Sequence, residues 1–280
     1  MNAGFLMNCR GRLLDLSSPK AMGILNANHD SFYAPSRVNS DKYLLQAAEK
    51  MLQDGAAMLD VGAMSSRPGS VFIPEEEERQ RLIPAIDILH RNFPEIILSV
   101  DTFRSGILRE AVDYGASVLN DISAGDLDPL LIAEAAALGV PYICMHMQGT
   151  PANMQLAPHY EKVVQEILDF FISKRNQLRQ AGIKDIILDP GFGFGKTREH
   201  NFSLLNNLNS FSIVGCPILI GVSRKSMVNL TISTAPADAL NGTTVLQTIA
   251  LMNGARIVRT HDVKEAVEAI KLVEFYTASD

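Results

Sequence analysis

Tryptophan is absent from the 280 residues, cysteine occurs only three times, and no apolar run approaches the roughly eighteen residues that a membrane span requires. Each scarcity excludes something. Cys9, Cys144 and Cys216 are odd in number, far apart and without a CxxC pair, so neither a disulfide framework nor a zinc or dithiol motif is expected. Positive charge is also short. With 25 Lys and Arg against 31 Asp and Glu, the formal net charge of −6 argues against a protein that grips nucleic acid by displacing counterions. An anionic ligand must therefore be held locally. The apolar stretch at 1–9 is too short for the core of a secretion signal, and Arg10, Arg12 and Asp15 follow it at once. The expectation is a cytoplasmic protein in a reducing compartment, bound to neither membrane nor nucleic acid.

What is present is a large aliphatic core: 47% of residues are hydrophobic and 20% charged, as in a globular chain. Short apolar runs recur at 21–25, 57–61, 96–100, 117–119, 141–145, 185–188, 217–222 and 256–259. Between them lie helically spaced segments at 41–53, 75–91, 105–114, 129–138, 160–181, 200–208, 237–253 and 263–278. Runs that are apolar throughout, rather than alternating, fit parallel strands covered by helices. Eight such units in alternation predict a single α/β domain over 1–280, a TIM (β/α)8 barrel, where an open doubly wound sheet would have about five or six strands. Residues 5–16, turning at Arg10 and Gly11, predict a short N-terminal β-hairpin that caps the bottom of the barrel.

The chemically rich residues fall at the carboxyl ends of the predicted strands: Asn26, Asp60, Asp101, Asn120, His146, Asp189, the run 223–226, Arg259 and His261. A barrel gathers these ends on one face, where the active sites of such enzymes lie. A carboxylate accepts two parallel hydrogen bonds and an amide both donates and accepts, so Asp101, Asn120 and Asp189 suit the amino-oxo edge of a pterin or guanine. One such residue alone would read as a helix cap; three on one face favour a ligand. Arg224, Lys225, Arg259 and His261 follow strands seven and eight, where barrels bind phosphate. Two long polar loops, 26–37 and 62–71, are read as lids. The run DPGFGFGK at 189–196 is not a phosphate loop of the Walker type, because Pro190 stands where its first glycine must be. It predicts an irregular turn, with Phe192 plugging the barrel rim and Phe194 exposed to an aromatic ligand. His146 and Gln148 are read as structural.

Eight stretches carry a resemblance: MGILNANHDSF at 22–32, LDVGAMSSRPG at 59–69, SVDTFR at 99–104, LND at 119–121, MHMQGTPANMQ at 145–155, LDPGFGFGK at 188–196, GVSRKS at 221–226 and RTHDV at 259–263. In collinear order over nearly the whole chain, they resemble the motifs of the dihydropteroate synthase family. The resemblance implies a pterin held by Asp101, Asn120, Asp189 and Lys225. It places Asn26, Arg67, Arg259 and His261 around a pyrophosphate, with Asn26 contributing to a Mg²⁺ site. It sets p-aminobenzoate against Ser66, Arg67, Pro68, Phe194, Lys225 and Ser226, where sulfonamide inhibitors compete in that family.

The implied activity is a transferase reaction of folate biosynthesis. 6-Hydroxymethyl-7,8-dihydropterin pyrophosphate and p-aminobenzoate become 7,8-dihydropteroate and pyrophosphate, with Asp101, Lys225, Arg259, His261, Asp30 and Arg67 as the catalytic set and no protein nucleophile. A homodimer is implied too; Val263, Val267, Ile270 and Val273 could form its face or pack on the barrel. The chain departs from the common pattern at Asn28-His29, where Thr-Pro is usual, at Met64 for Glu and at Ser66 for Thr. Rival readings are a pterin-dependent methyltransferase and a noncatalytic pterin-binding barrel. The basic run 223–226 with Arg259 and His261 argues for pyrophosphate and against the methyltransferase, and intact Asp30, Arg67, Lys225 and Arg259 argue against the noncatalytic barrel.

Overall fold

The computed structural model describes residues 5–27, 34–64 and 69–279, with 34–40 described by backbone alone. An antiparallel hairpin comes first, β1 (Leu6–Cys9) paired with β2 (Arg12–Asp15). Its two-residue turn puts Arg10 and Gly11 at φ 53° and 92°, the positive values that match the twist of the strands. Eight parallel strands follow: β3 (Lys20–Asn26), β4 (Met58–Gly62), β5 (Ile97–Asp101), β6 (Val118–Asp121), β7 (Tyr142–Met145), β8 (Ile186–Asp189), β9 (Leu219–Ile220) and β10 (Ile257–Thr260). They pair in the order β8-β7-β6-β5-β4-β3-β10-β9. A parallel bridge between Leu188 and Ile218, with the Leu188 N–H donating to Pro217 O at 2.9 Å, joins the two outer strands and closes the barrel. The (β/α)8 barrel and its N-terminal hairpin are those the sequence predicts.

Helices α1 (Ala34–Gln53), α2 (Glu75–Asn92), α3 (Ser105–Asp113), α4 (Leu131–Leu138), α5 (Val163–Gln180) and α6 (Arg198–Asn206) each follow a strand. A short α7 (Ser226–Asn229) and then α8 (Leu240–Met252) follow β9, and α9 (Val263–Thr277) follows β10. Three predicted boundaries need correction. Helix α1 starts at Ala34 rather than 41, so 34–37 belong to helix and not to the first long loop. The sequence there is polar, so apolar periodicity could not reveal it, and Pro35 is tolerated in a first turn. The strand expected at 217–222 narrows to Leu219–Ile220, because the chain turns away to carry residues 223–226. Helix α5 starts at Val163, since the Tyr160 hydroxyl donates to Gly195 O at 3.0 Å and holds that segment against the rim.

Inside the barrel, each of the eight strands contributes one residue to an apolar cluster: Met22, Met58, Ile97, Val118, Ile143, Ile187, Leu219 and Ile257. Met7, Cys9, Leu14 and Leu16 of the hairpin segment complete it, so the hairpin plugs the amino-terminal end. The alternate strand residues, such as Leu59, Leu98, Leu119, Cys144, Leu188 and Val258, face outward into the shell of helices. Val263, Ile270 and Val273 of α9 are buried there and Val267 packs beside them, so that stripe serves the barrel. Met64, which replaces an expected charge, also packs on this shell. Among the described residues, no helix is long and apolar enough to cross a membrane.

Candidate active site

Strand side chains alternate faces, so the inward row that begins with apolar residues continues two residues on as Asp60, Ser99, Asn120, Met145, Asp189 and Arg259. The interior thus turns polar toward the carboxyl-terminal mouth. Asp60 is fully buried, and its Oδ2 accepts from Asn120 Nδ2 at 2.9 Å and from Arg259 Nε at 2.7 Å. Arg259 Nη2 also donates to Asp101 Oδ2 at 3.2 Å. Four strands, β4, β5, β6 and β10, are tied together by these bonds. Burial pushes the Asp101 carboxyl up to about 7, the charge of Asp60 adds to this, and Arg259 opposes it. Burial disfavours the Arg259 cation, but Asp60 and Asp101 outweigh that cost and its pKa rises.

Asp189 ends β8, accepting from the Gly191 N–H through Oδ1 at 2.8 Å. Burial raises its pKa, while Lys225 and Arg259 pull the other way. Lys225 donates to Phe192 O at 2.6 Å and stands 4.6 Å from the centre of the Phe194 ring. Burial lowers its pKa to about 8, with Asp189 opposing. The predicted pterin residues Asp101, Asn120, Asp189 and Lys225 therefore meet at one mouth, with Arg259 between them.

Phe194 is not the exposed ring that the sequence suggested. It is 8% exposed, packed with Ile122, Met145 and Met154 beneath the Lys225 ammonium. Phe192 is fully buried, as a rim plug should be. Arg224 also differs: it pairs with Asp262 through two bonds of 2.9 and 2.7 Å and donates to Pro236 O and Ala237 O. With its fork committed, Arg224 fastens the loop instead of binding an anion. His261 is exposed after β10, its backbone N–H donating to Ser223 Oγ at 3.4 Å and its Nδ1 lying 3.1 Å from that oxygen. Ser226 opens α7 and Asn26 ends β3, both exposed. Asn28, His29, Asp30, Ser31, Ser65, Ser66, Arg67 and Pro68 lie outside the described residues.

The loop after β8 has its own fastening. Lys196 Nζ is buried and contacts Gly191 O, Phe194 O and His146 Nδ1, each at 3.0 Å. It knots the backbone rather than cradling phosphate. Gly191 is required at φ 68°, since a Cβ would stand 2.0 Å from His146 O. Burial lowers the Lys196 pKa to about 7, and burial together with the Lys196 charge lowers that of His146 to about 2. His146 is thus neutral, and its Nδ1 accepts. The strand-end position of Asp60 predicts its place at the mouth but not its partners, and Lys196 is absent from the predicted site. Asp60 shares the inward phase of Met58, a signal the sequence did contain.

A mouth lined by carboxylates, an amide and two half-buried cations can hold a flat polar heterocycle and stabilise charge, and among the described residues it offers no activated nucleophile. The sequence pattern of the family described as "Pterin binding enzyme" matches residues 22–261, and the chain belongs to that family. Within it, the chain is 43% identical over 267 residues to the dihydropteroate synthase of Escherichia coli (strain K12), covering 95% of this chain and 94% of that one. It also superimposes on the Yersinia pestis dihydropteroate synthase, solved as a sulfonamide drug complex, with TM-score 0.92 at 40% identity over 98% of this chain and 100% of that. The Xanthomonas albilineans dihydropteroate synthase, solved with 4-aminobenzoic acid, matches with TM-score 0.90 at 35% identity over 99% of both chains.

Proposed function

We propose that the chain is a dihydropteroate synthase, a transferase of folate biosynthesis that joins 6-hydroxymethyl-7,8-dihydropterin pyrophosphate to p-aminobenzoate. The carrying observation is the meeting of Asp101, Asn120, Asp189, Lys225 and Arg259 at one barrel mouth. The acids and the amide suit the amino-oxo edge of the pterin. In the reaction, the bond between the pterin methylene carbon and the pyrophosphate oxygen breaks, and its electron pair leaves with the oxygen. The aniline nitrogen then uses its lone pair to form the new C–N bond and gives up a proton.

Catalysis is electrostatic. The Asp101 carboxylate faces the cation that develops on the pterin, and that cation in turn favours its ionised form over the protonated one. Lys225 sits between the pterin and the aminobenzoate ring, with Phe194 and Ser226 beside it. His261 and Arg259 attract the departing anion, Arg259 while bonded to Asp60 and Asp101. Asp30, Ser66, Arg67 and Pro68 take part from the two loops.

Among the described residues, no group of three or more His, Cys, Asp or Glu could cage a metal. Asn26 offers one amide oxygen. That donor set suits a Mg²⁺ carried on the pyrophosphate and keeping several waters, which would draw charge from the leaving group. The reading includes a cytoplasmic homodimer inhibited by sulfonamides. Leu272, Phe275 and Tyr276 of α9, all more than half exposed, are its candidate contacts in place of the buried stripe.

The test is pyrophosphate release from the pterin substrate, with and without p-aminobenzoate. A synthase releases pyrophosphate and forms dihydropteroate in step with it; the absence of pterin-dependent release would end the reading. A methyltransferase or a noncatalytic binder would bind pterin and release none.

A further inference from the structure

A fully buried carboxylate in a barrel core costs several kcal/mol unless it is paired, and an apolar residue of similar size would serve stability as well or better. Asp60 is such a carboxylate, lying between Leu59 and Val61 on β4. Its Oδ2 is saturated by Asn120 Nδ2 at 2.9 Å and Arg259 Nε at 2.7 Å. Its Oδ1 is buried and has no hydrogen-bond partner in the structure. A group held at that cost, with half its acceptors unused, is not explained by the core around it.

The two bonds it does make decide how its neighbours face the ligand. Asn120 carries a donor and an acceptor at the tip of one side chain, and a carboxylate can only accept. Asp60 therefore draws Nδ2 to itself and turns Oδ1 of Asn120 away as the presented group. Arg259 is held from two sides, by Asp60 through Nε and by Asp101 through Nη2, which fixes the plane of its guanidinium.

We propose that Asp60 is a positioning residue of the site. It orients the Asn120 amide so that an acceptor meets the pterin edge, and it clamps Arg259 in register with Asp101. Specificity for a ring edge that donates at this point then resides in Asp60, a residue that itself need not touch the ligand. The inference rests on the pterin reading, and its test separates the two.

Asp60→Leu keeps the approximate volume but removes the acceptor, so that the Asn120 amide is free to reverse and Arg259 loses its Nε bond. The expected result is a rise of roughly tenfold or more in KM for the pterin pyrophosphate, with KM for p-aminobenzoate unchanged. Asp60→Asn keeps one carbonyl oxygen, which can stand in the place of Oδ2 and accept from both Asn120 Nδ2 and Arg259 Nε, so its pterin KM should stay within about threefold of the parent. A merely structural role predicts that leucine serves as well as asparagine. A parental pterin KM in Asp60→Leu, an equal rise in both KM values, or an Asp60→Asn no better than Asp60→Leu would each overturn the proposal. If Asp60→Leu does not fold, Asp60→Ala, which also lacks the acceptor, takes its place under the same criteria. Failure of the parent enzyme to release pyrophosphate would instead sink the synthase reading.

Discussion

The two ends of the barrel interior are built from the same inward rows of the same strands, yet they share almost no chemistry. At the amino-terminal end, Met58, Ile97, Val118 and Ile187 meet a plug of Met7, Cys9, Leu14 and Leu16. Two or four residues on, the rows present Asp60, Asp101, Asn120 and Asp189 instead. The lower end is satisfied by packing alone. The upper end is satisfied by a network of buried charges that packing could not supply, with an orphaned acceptor on Asp60. The division teaches that a parallel barrel can assign stability and chemistry to different segments of one strand, because the loops that follow the strands and the amino-terminal ends of the helices gather at the upper mouth.

The sharpest way to break this division is at the bottom. Ile187→Ala should lower the unfolding free energy by about 3 kcal/mol, read as a shift in urea midpoint, while both KM values stay at the parent level. A loss of substrate affinity at full folding would show that the ends are coupled. Lys225→Ala tests the top in the converse way. It should reduce kcat/KM by about a hundredfold, near 2.7 kcal/mol, with the urea midpoint close to the parent's. Parental kinetics would mean that the site is misplaced.

Titration offers a third probe. Buried His146, held near 2 against its ordinary 6.5, stays neutral in the fold while the unfolded chain takes a proton. Folding stability from this group is present above pH 6.5 and falls as pH drops, by about 1.4 kcal/mol per unit. Asp101 acts oppositely: raised from 3.8 to about 7, it keeps a proton that the unfolded chain has released, so it favours the fold as pH falls through that window. Comparing His146→Gln with the parent isolates the histidine. Between pH 6.5 and 4.5 the parent should lose stability relative to the variant, whereas a difference independent of pH would mean that His146 is protonated in the fold. The smallest expected effect is that of Gly62→Ala, whose new Cβ would stand 3.3 Å from the Asp101 Cβ. Pterin affinity should fall by about threefold to tenfold, measured by calorimetry, and an unchanged value would show that Asp101 can yield.

Much of this was legible in the residues themselves. Fully apolar runs of strand length, separated by helical spacing, left little choice but a parallel barrel, and Asp101, Asn120, Asp189, Lys225 and Arg259 could be placed at its mouth by their position at strand ends. The start of α1 was hidden, since a polar first turn has no apolar period to read. Arg224 and Lys225 looked alike as neighbours in one basic run. Only the fold sends the first to Asp262 and the second to Asp189 and Phe192.

The sequence by itself determined the architecture, because strand and helix periods and the burial they demand are local properties of the chain. It also determined which kinds of group stand at the carboxyl ends. Tertiary structure decided which of them pair, since hydrogen bonds between residues 60, 120 and 259 depend on the closure of strands distant in sequence. It likewise turned Phe194 inward and gave Lys196 its contacts with His146, Gly191 and Phe194, because burial and orientation follow from packing across elements and not from any residue's neighbours in the chain.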